Sequence, residues 1–359
     1  MKGQMLVGIQ VLRGCAALAV VLYHCNLVMN QHGQGTLPHD FFFVGIAGVD
    51  VFFCLSGFLM VHIIRGGPVG PREAMGFLMR RALRIVPLYW LLTAVKLALL
   101  AAAVGLASPA FPGADFILRS FLFIPVVNFE GNVQPVLAAG WTLVYEWFFY
   151  VMLFLGMLVA GRAAPLAASL VLAGLVVAGL LWPFSSLPLA TYADPIVLEF
   201  IAGMAIGALG GRLTLGVRTG RILLAGSLAL FALSALPAVA ELPRILRFGL
   251  PSALLLLAFL GLEQDLRRPV FAPLRVAGDS SYSIYLCHQI VQAVLIAVLA
   301  RLLPTLLPSG WSDAALLAAL LVLPVAAGLV LYATVERPMT RRLMRWASRS
   351  RPAVAVQAA

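Results

Sequence analysis

The first apolar stretch, from Met5 to Met29, constrains the fold more than any other part of the chain. It reads MLVGIQVLRGCAALAVVLYHCNLVM, long enough to cross a bilayer as one helix. Arg13 and His24 lie inside it. An ionisable group at membrane depth is costly and normally faces a cavity or a partner. Eleven residues separate the two, very close to three helical turns, so both project from one face, roughly 16 Å apart along the axis. This face reads as one wall of an active-site tunnel. His24 would do chemistry, and Arg13 would hold something anionic nearer the surface. The plainer alternatives are an Arg13 that snorkels to the near interface and a His24 that is simply packed against a neighbouring helix.

The rest of the chain places this helix in a polytopic membrane protein. Of 359 residues, 62% are hydrophobic and 11% charged, against about 25% charged in soluble domains. Hydropathy and breakers predict an all-α fold of about ten transmembrane helices, near 5–29, 43–63, 84–106, 140–160, 164–182, 195–210, 221–237, 246–262, 282–303 and 313–335. The segment 115–128 is apolar but too short to span, and reads as re-entrant or interfacial. With both termini in the cytoplasm, 19 of the 25 Lys and Arg residues fall on the inside and only Arg119, Arg244, Arg247 and Arg301 outside, as the positive-inside rule requires. The net charge of +11 is therefore topological, and nucleic acid is not expected as a partner. Residues 1–340 form one membrane domain, followed by a basic cytoplasmic tail, 341–359, expected to be disordered.

Cys15, Cys25, Cys54 and Cys287 lack metal-ligand spacing and read as small packing residues. Ala17-Leu18-Ala19 mimics a signal-peptidase site, but Gln10 and Arg13 interrupt the apolar run, so cleavage is not expected. His32, His39 and Asp40 share one outer loop at a spacing too loose for zinc. No metal is expected.

Four further stretches carry polar groups into apolar surroundings. In GVDVFFCLSGFLM, Gly48–Met60, Asp50 stands near the outer end, where it reads as a helix cap. Ser56-Gly57 interrupts the apolar run, either as a helix-packing notch or as an oxyanion donor. In FLMRRALRIVPLYWL, Phe77–Leu91, Arg80, Arg81 and Arg84 fall within two turns. They read either as orientation charge with lipid contact or as a phosphate clamp, because guanidinium forks match phosphate oxygens. In GWTLVYEWFFYVM, Gly140–Met152, Glu146 lies among aromatics and calls for a partner, His24 or Arg13, unless it stays protonated. In GDSSYSIYLCHQIV, Gly278–Val291, Tyr285 and His288 stand three apart on one helix face. His288 either lines the same cavity or is a packed histidine. Glu336, before Pro338, marks the expected inner end of the last span.

LRGxAAxxVVxxH, GVDxFFxLSGFL, RRxxRIxPxY, WTLxxEWxFY, GxxSYSIYLxH and a terminal ExP, in this order, resemble the membrane acyltransferase-3 family, which contains bacterial O-acyltransferases of O-antigen, exopolysaccharide, Nod-factor and macrolide type. The resemblance runs from Arg13 to Pro338. It implies ten core spans in the bacterial inner membrane, with an acyl-CoA donor, acetyl-CoA favoured, entering from the cytoplasm. The acyl group would pass to a hydroxyl of a cell-surface glycan or glycolipid. His24 matches the family's base, and Arg80, Arg81 and Arg84 match its donor-binding motif. The candidate site is thus His24, Glu146, Ser56 and His288 for the chemistry, and Arg13, Arg80, Arg81, Arg84 and Tyr285 for the donor. Glu146 would orient His24. Ser56, Tyr285 or the Gly57 N–H would meet the oxyanion. A transporter without catalysis is the alternative, since intramembrane Arg and His also line transport paths. No internal repeat of the kind transporters show is apparent.

Overall fold

A computed structural model describes residues 6–31, 38, 41–106, 108–210, 215–302 and 313–349. Secondary structure among them is helical, apart from one isolated bridge between Val127 and Val133. The helices are α1 (Val7–Gln31), α2 (Gly48–Arg65), α3 (Pro71–Val104), α4 (Ala114–Phe121), α5 (Trp141–Ala160), α6 (Ala164–Leu181), α7 (Leu187–Tyr192), α8 (Leu198–Leu209), α9 (Val217–Ser234), α10 (Leu250–Gly261), α11 (Ala272–Asp279), α12 (Ser281–Leu302), α13 (Asp313–Leu331) and α14 (Arg337–Arg349). Among the described residues, seven helical stretches are long and apolar enough to cross a membrane. Their outer surfaces suit nothing else. Leu166, Leu170, Val177 and Leu180 of α6 all stand exposed, a stripe that water would not tolerate and lipid does.

Each of the ten expected spans coincides with a helix, but several boundaries move. α3 begins thirteen residues before its expected start and is 34 residues long, or about 51 Å, against a hydrocarbon core of about 30 Å. Arg80 and Arg81 therefore lie within it rather than in a preceding loop, and Pro87 does not end it. α8 and α10 are 12 residues each, or about 18 Å, shorter than the expected spans. A π-helical turn, Ile245–Gly249, leads into α10. Within the segment 115–128 only the short α4 forms, ending at Phe121. Glu336 does not end the last helix. It closes a π-helical turn, Tyr332–Glu336, and α14 continues to Arg349. The part of the expected disordered tail from 341 to 349 is thus helical, and 350–359 lie outside the described residues.

α1 sits at the centre, packed against α2, α10, α11, α12 and α13. α2 and α8 pack backbone to backbone. A Cβ on Gly57 would collide with the carbonyl of Phe200, and one on Gly203 with the carbonyl of Cys54. Gly57 is therefore the packing notch that its sequence context suggests, and it turns toward α8. Asp50 is not a cap. It is fully buried and forked by Arg244, with Nε to Oδ1 at 3.0 Å and Nη2 to Oδ2 at 2.7 Å. This pair ties α2 to the start of the π-helical turn that leads into α10. All four cysteines are free.

Candidate active site

Five helices enclose a pocket of about 850 Å³ of empty space, part of it open to solvent. The first residue on its wall is Arg13 of α1, whose Nη2 donates to Ser281 Oγ at 3.0 Å. Arg81 and Arg84 of α3 join it, so three guanidiniums face one pocket. Arg80, the third arginine of that motif, is not on the wall. The i,i+3 spacing of Arg81 and Arg84 keeps both on the face that α3 turns inward. α12 is held to the same place on α3 by Tyr282, whose hydroxyl donates to the Ile85 carbonyl at 2.7 Å. Arg81 Nε is buried without a hydrogen-bond partner among the described residues, and its guanidinium carbon lies 6.0 Å from the Tyr150 ring centroid.

The one carboxylate on the wall is Glu146 of α5. It meets neither His24 nor Arg13 in a hydrogen bond. Its Oε1 accepts from Ser56 Oγ at 2.7 Å and from Tyr150 Oη at 2.5 Å. Two donors share one oxygen and the Ser56 bond ties α5 to α2, so Glu146 organises the α2–α5 wall rather than the histidine. Tyr150 was not among the residues singled out from the sequence. Its signal was there, since Glu146 and Tyr150 stand i,i+4 on a helix. Ser56 spends its proton on Glu146, and Gly57 faces α8. Of the three oxyanion candidates, that leaves Tyr285, at the end of the wall that touches His288.

The histidines lie beyond that end. His24 Nδ1 is 2.9 Å from the Val20 carbonyl, and His288 Nδ1 is 2.6 Å from the Tyr285 carbonyl. A carbonyl only accepts, so Nδ1 carries the proton in both rings. Each neutral imidazole therefore presents Nε2 as a lone pair. The rings meet edge to face, with centroids 4.8 Å apart. His288 is fully buried and its Nε2 has no hydrogen-bond partner among the described residues, whereas His24 is half-exposed. Neither ring is on the pocket wall. The wall residue that touches the pair is Tyr285. Its ring lies 5.9 Å from His288, centroid to centroid. Arg13 and His24 thus share a face as their spacing requires, both turned toward α12, but only Arg13 lines the pocket. His39, Asp40 and His32 lie outside the described residues, and no group of three or more metal-ligating side chains occurs among the described ones.

Long apolar helices wrapped around a pocket lined by arginines make this a multi-pass membrane protein. The chain belongs to the acyltransferase family, whose domain model (Acyltransferase domain) matches residues 6–333. It is therefore a multi-pass membrane acyltransferase. Among characterised relatives it is similar to the exopolysaccharide production protein ExoZ of Rhizobium meliloti (strain 1021), with 38% identity over 323 residues, covering 84% of this chain and 91% of the relative. No solved structure matches it.

Proposed function

We propose that this protein is an O-acyltransferase of the bacterial inner membrane that moves an acyl group, acetyl in the favoured case, from cytoplasmic acyl-CoA to a hydroxyl of an exopolysaccharide-type glycan or its lipid-linked precursor. The observation that carries the proposal is the division of labour along α1. Arg13 stands in a pocket with Arg81 and Arg84, and His24, three turns further, presents an unprotonated Nε2. The similarity to a protein named for exopolysaccharide production supports the choice of acceptor.

The donor's phosphates sit against the guanidiniums, which bind phosphate oxygens with charge-assisted hydrogen bonds. The pantetheine arm runs outward along the pocket, past Ser56 and Glu146, toward Tyr285. The acceptor hydroxyl approaches His24 from the other side. Nε2 of His24 takes the hydroxyl proton as the oxygen attacks the thioester carbonyl, the C–O bond forms, and the C–S bond breaks. The leaving thiolate takes up one proton, so free CoA and the ester are the products. His288, behind His24, offers a second lone pair to the proton that His24 has accepted. The Val20 carbonyl orients His24 and fixes its tautomer, the task expected of Glu146 from the sequence. Residues 1–340 carry this activity, with both termini in the cytoplasm.

Purified protein incubated with acetyl-CoA and glycan acceptors should release free CoA and form acetylated glycan. A transporter would bind such ligands and release none.

A further inference from the structure

Neither histidine lines the pocket, and the wall residue in contact with the pair is Tyr285. Its hydroxyl lies 3.1 Å from Thr142 Oγ1, which is also 3.2 Å from the Ala139 carbonyl. Thr142 Oγ1 donates to the Tyr285 hydroxyl, which keeps its own proton. On its other side the ring meets Phe52 of α2 edge to face, at 6.1 Å between centroids. Tyr285 is 7% exposed, and Thr142, Phe52 and Tyr285 all line the pocket. Ring contacts thus run from the pocket wall at Tyr285 to His288 and from His288 to His24.

Resting on the acyl-transfer reading above, we propose that Tyr285, latched by Thr142 and braced by Phe52, is a partition that determines whether the acyl group goes to the acceptor hydroxyl or to water. Closed, it keeps the thioester carbonyl away from the base and from any water that His24 could activate. Open, it joins the pocket to the histidines for transfer. The competing reaction balances in the same way as the productive one. Water attacks the carbonyl, its proton goes to His24, the C–S bond breaks, and acetate and CoA leave. A single side-chain hydrogen bond is a suitable latch, because its net value of roughly 1 kcal/mol can be overcome by a bound acceptor.

The test measures acetate release from acetyl-CoA without acceptor, and ester formation with it. Thr142→Val removes the latch and leaves the Tyr285 hydroxyl, and Phe52→Ala removes the brace. Thr142→Val should raise the ratio of hydrolysis to transfer by about fivefold, the value of one hydrogen bond, and Phe52→Ala should raise it in the same direction. Thr142→Ser should restore the wild-type ratio, and adding His24→Ala to Thr142→Val should abolish the extra hydrolysis. A second readout uses bromoacetyl-CoA, whose CH2–Br carbon alkylates an imidazole nitrogen with loss of bromide. Mass spectrometry should find His24 labelled faster in Thr142→Val than in wild type. An unchanged ratio together with equal labelling, in a wild type that turns over acetyl-CoA, overturns the partition alone. A wild type that neither binds nor turns over acetyl-CoA overturns the acyl-transfer reading and the partition with it.

Discussion

Two buried clusters of charge lie on opposite faces of α2, and they are built in opposite ways. On the face toward α8 and α10, Asp50 and Arg244 form a complete fork. Both carboxylate oxygens are used, and Asp50 has no exposure. On the other face, Arg13, Arg81 and Arg84 surround a pocket whose single carboxylate, Glu146, accepts from Ser56 and Tyr150 instead. Arg81 retains a buried Nε with no partner among the described residues. In the first cluster the fork uses both oxygens of Asp50 and ties helices together, and the buried carboxylate of Glu199 on α8, with no hydrogen-bond partner among the described residues, lies beside it. The second keeps cationic donors in reserve, which a protein tolerates at membrane depth where a ligand is to use them.

That contrast predicts different failures. The largest effect is expected at the forked pair. Asp50→Ala takes from Arg244 the carboxylate it forks and leaves it the Phe248 ring and Glu199, a loss of up to about 3–5 kcal/mol for a broken buried pair. The variant should show lower yield of folded protein in detergent and a lower melting temperature, and Arg244→Ala added to it should cost little more. Next come the pocket arginines. Arg84→Ala and Arg81→Ala should fold and should each raise the apparent KM for acetyl-CoA by about 10- to 100-fold, the value of one hydrogen bond between charged groups. Lys in their place should rescue only partly, because it lacks the fork. Arg80→Ala, a change off the pocket wall, should leave that KM close to wild type. The smallest effect is expected at Tyr150→Phe, which removes one of two donors to Glu146 at about 1 kcal/mol. It should lower thermal stability slightly and change kcat by less than the arginine variants change KM. Equal effects of Asp50→Ala and Arg84→Ala on donor KM would erase the distinction between the clusters.

Helical periodicity made one face of the site readable and left its partners hidden. Arg13 and His24 fall on one side of α1 because three turns separate them, and the structure turns both toward α12. The notch at Gly57 was equally readable from a small residue in an apolar run. Partners across the fold were not. Glu146 bonds Ser56, 90 residues away, and Asp50 bonds Arg244, 194 residues away. Periodicity says which way a side chain points and not which helix stands opposite. Asp50 read as a cap because a carboxylate in a first turn is the usual sign of one, and Arg244 read as loop charge because arginines outside spans usually are. The start of α3 was missed because Arg72, Arg80 and Arg81 lower its hydropathy, although none of them breaks a helix. The partition at Tyr285 was invisible for the same reason as the partners. It needs α2, α5 and α12 to converge.

The central claim is that α1 divides binding from chemistry, with the arginine pocket holding the donor and His24 activating the acceptor. The most direct test pairs two measurements on His24→Ala: acetyl-CoA affinity by titration calorimetry, and turnover with acceptor. Loss of a general base typically lowers the rate by about 10²- to 10⁴-fold, and His24 lies off the pocket wall. The account therefore predicts affinity within about threefold of wild type, since no charged hydrogen bond to the donor is lost, with turnover reduced at least a hundredfold. Near-normal turnover in His24→Ala, or a loss of donor affinity as large as that of Arg84→Ala, would contradict it.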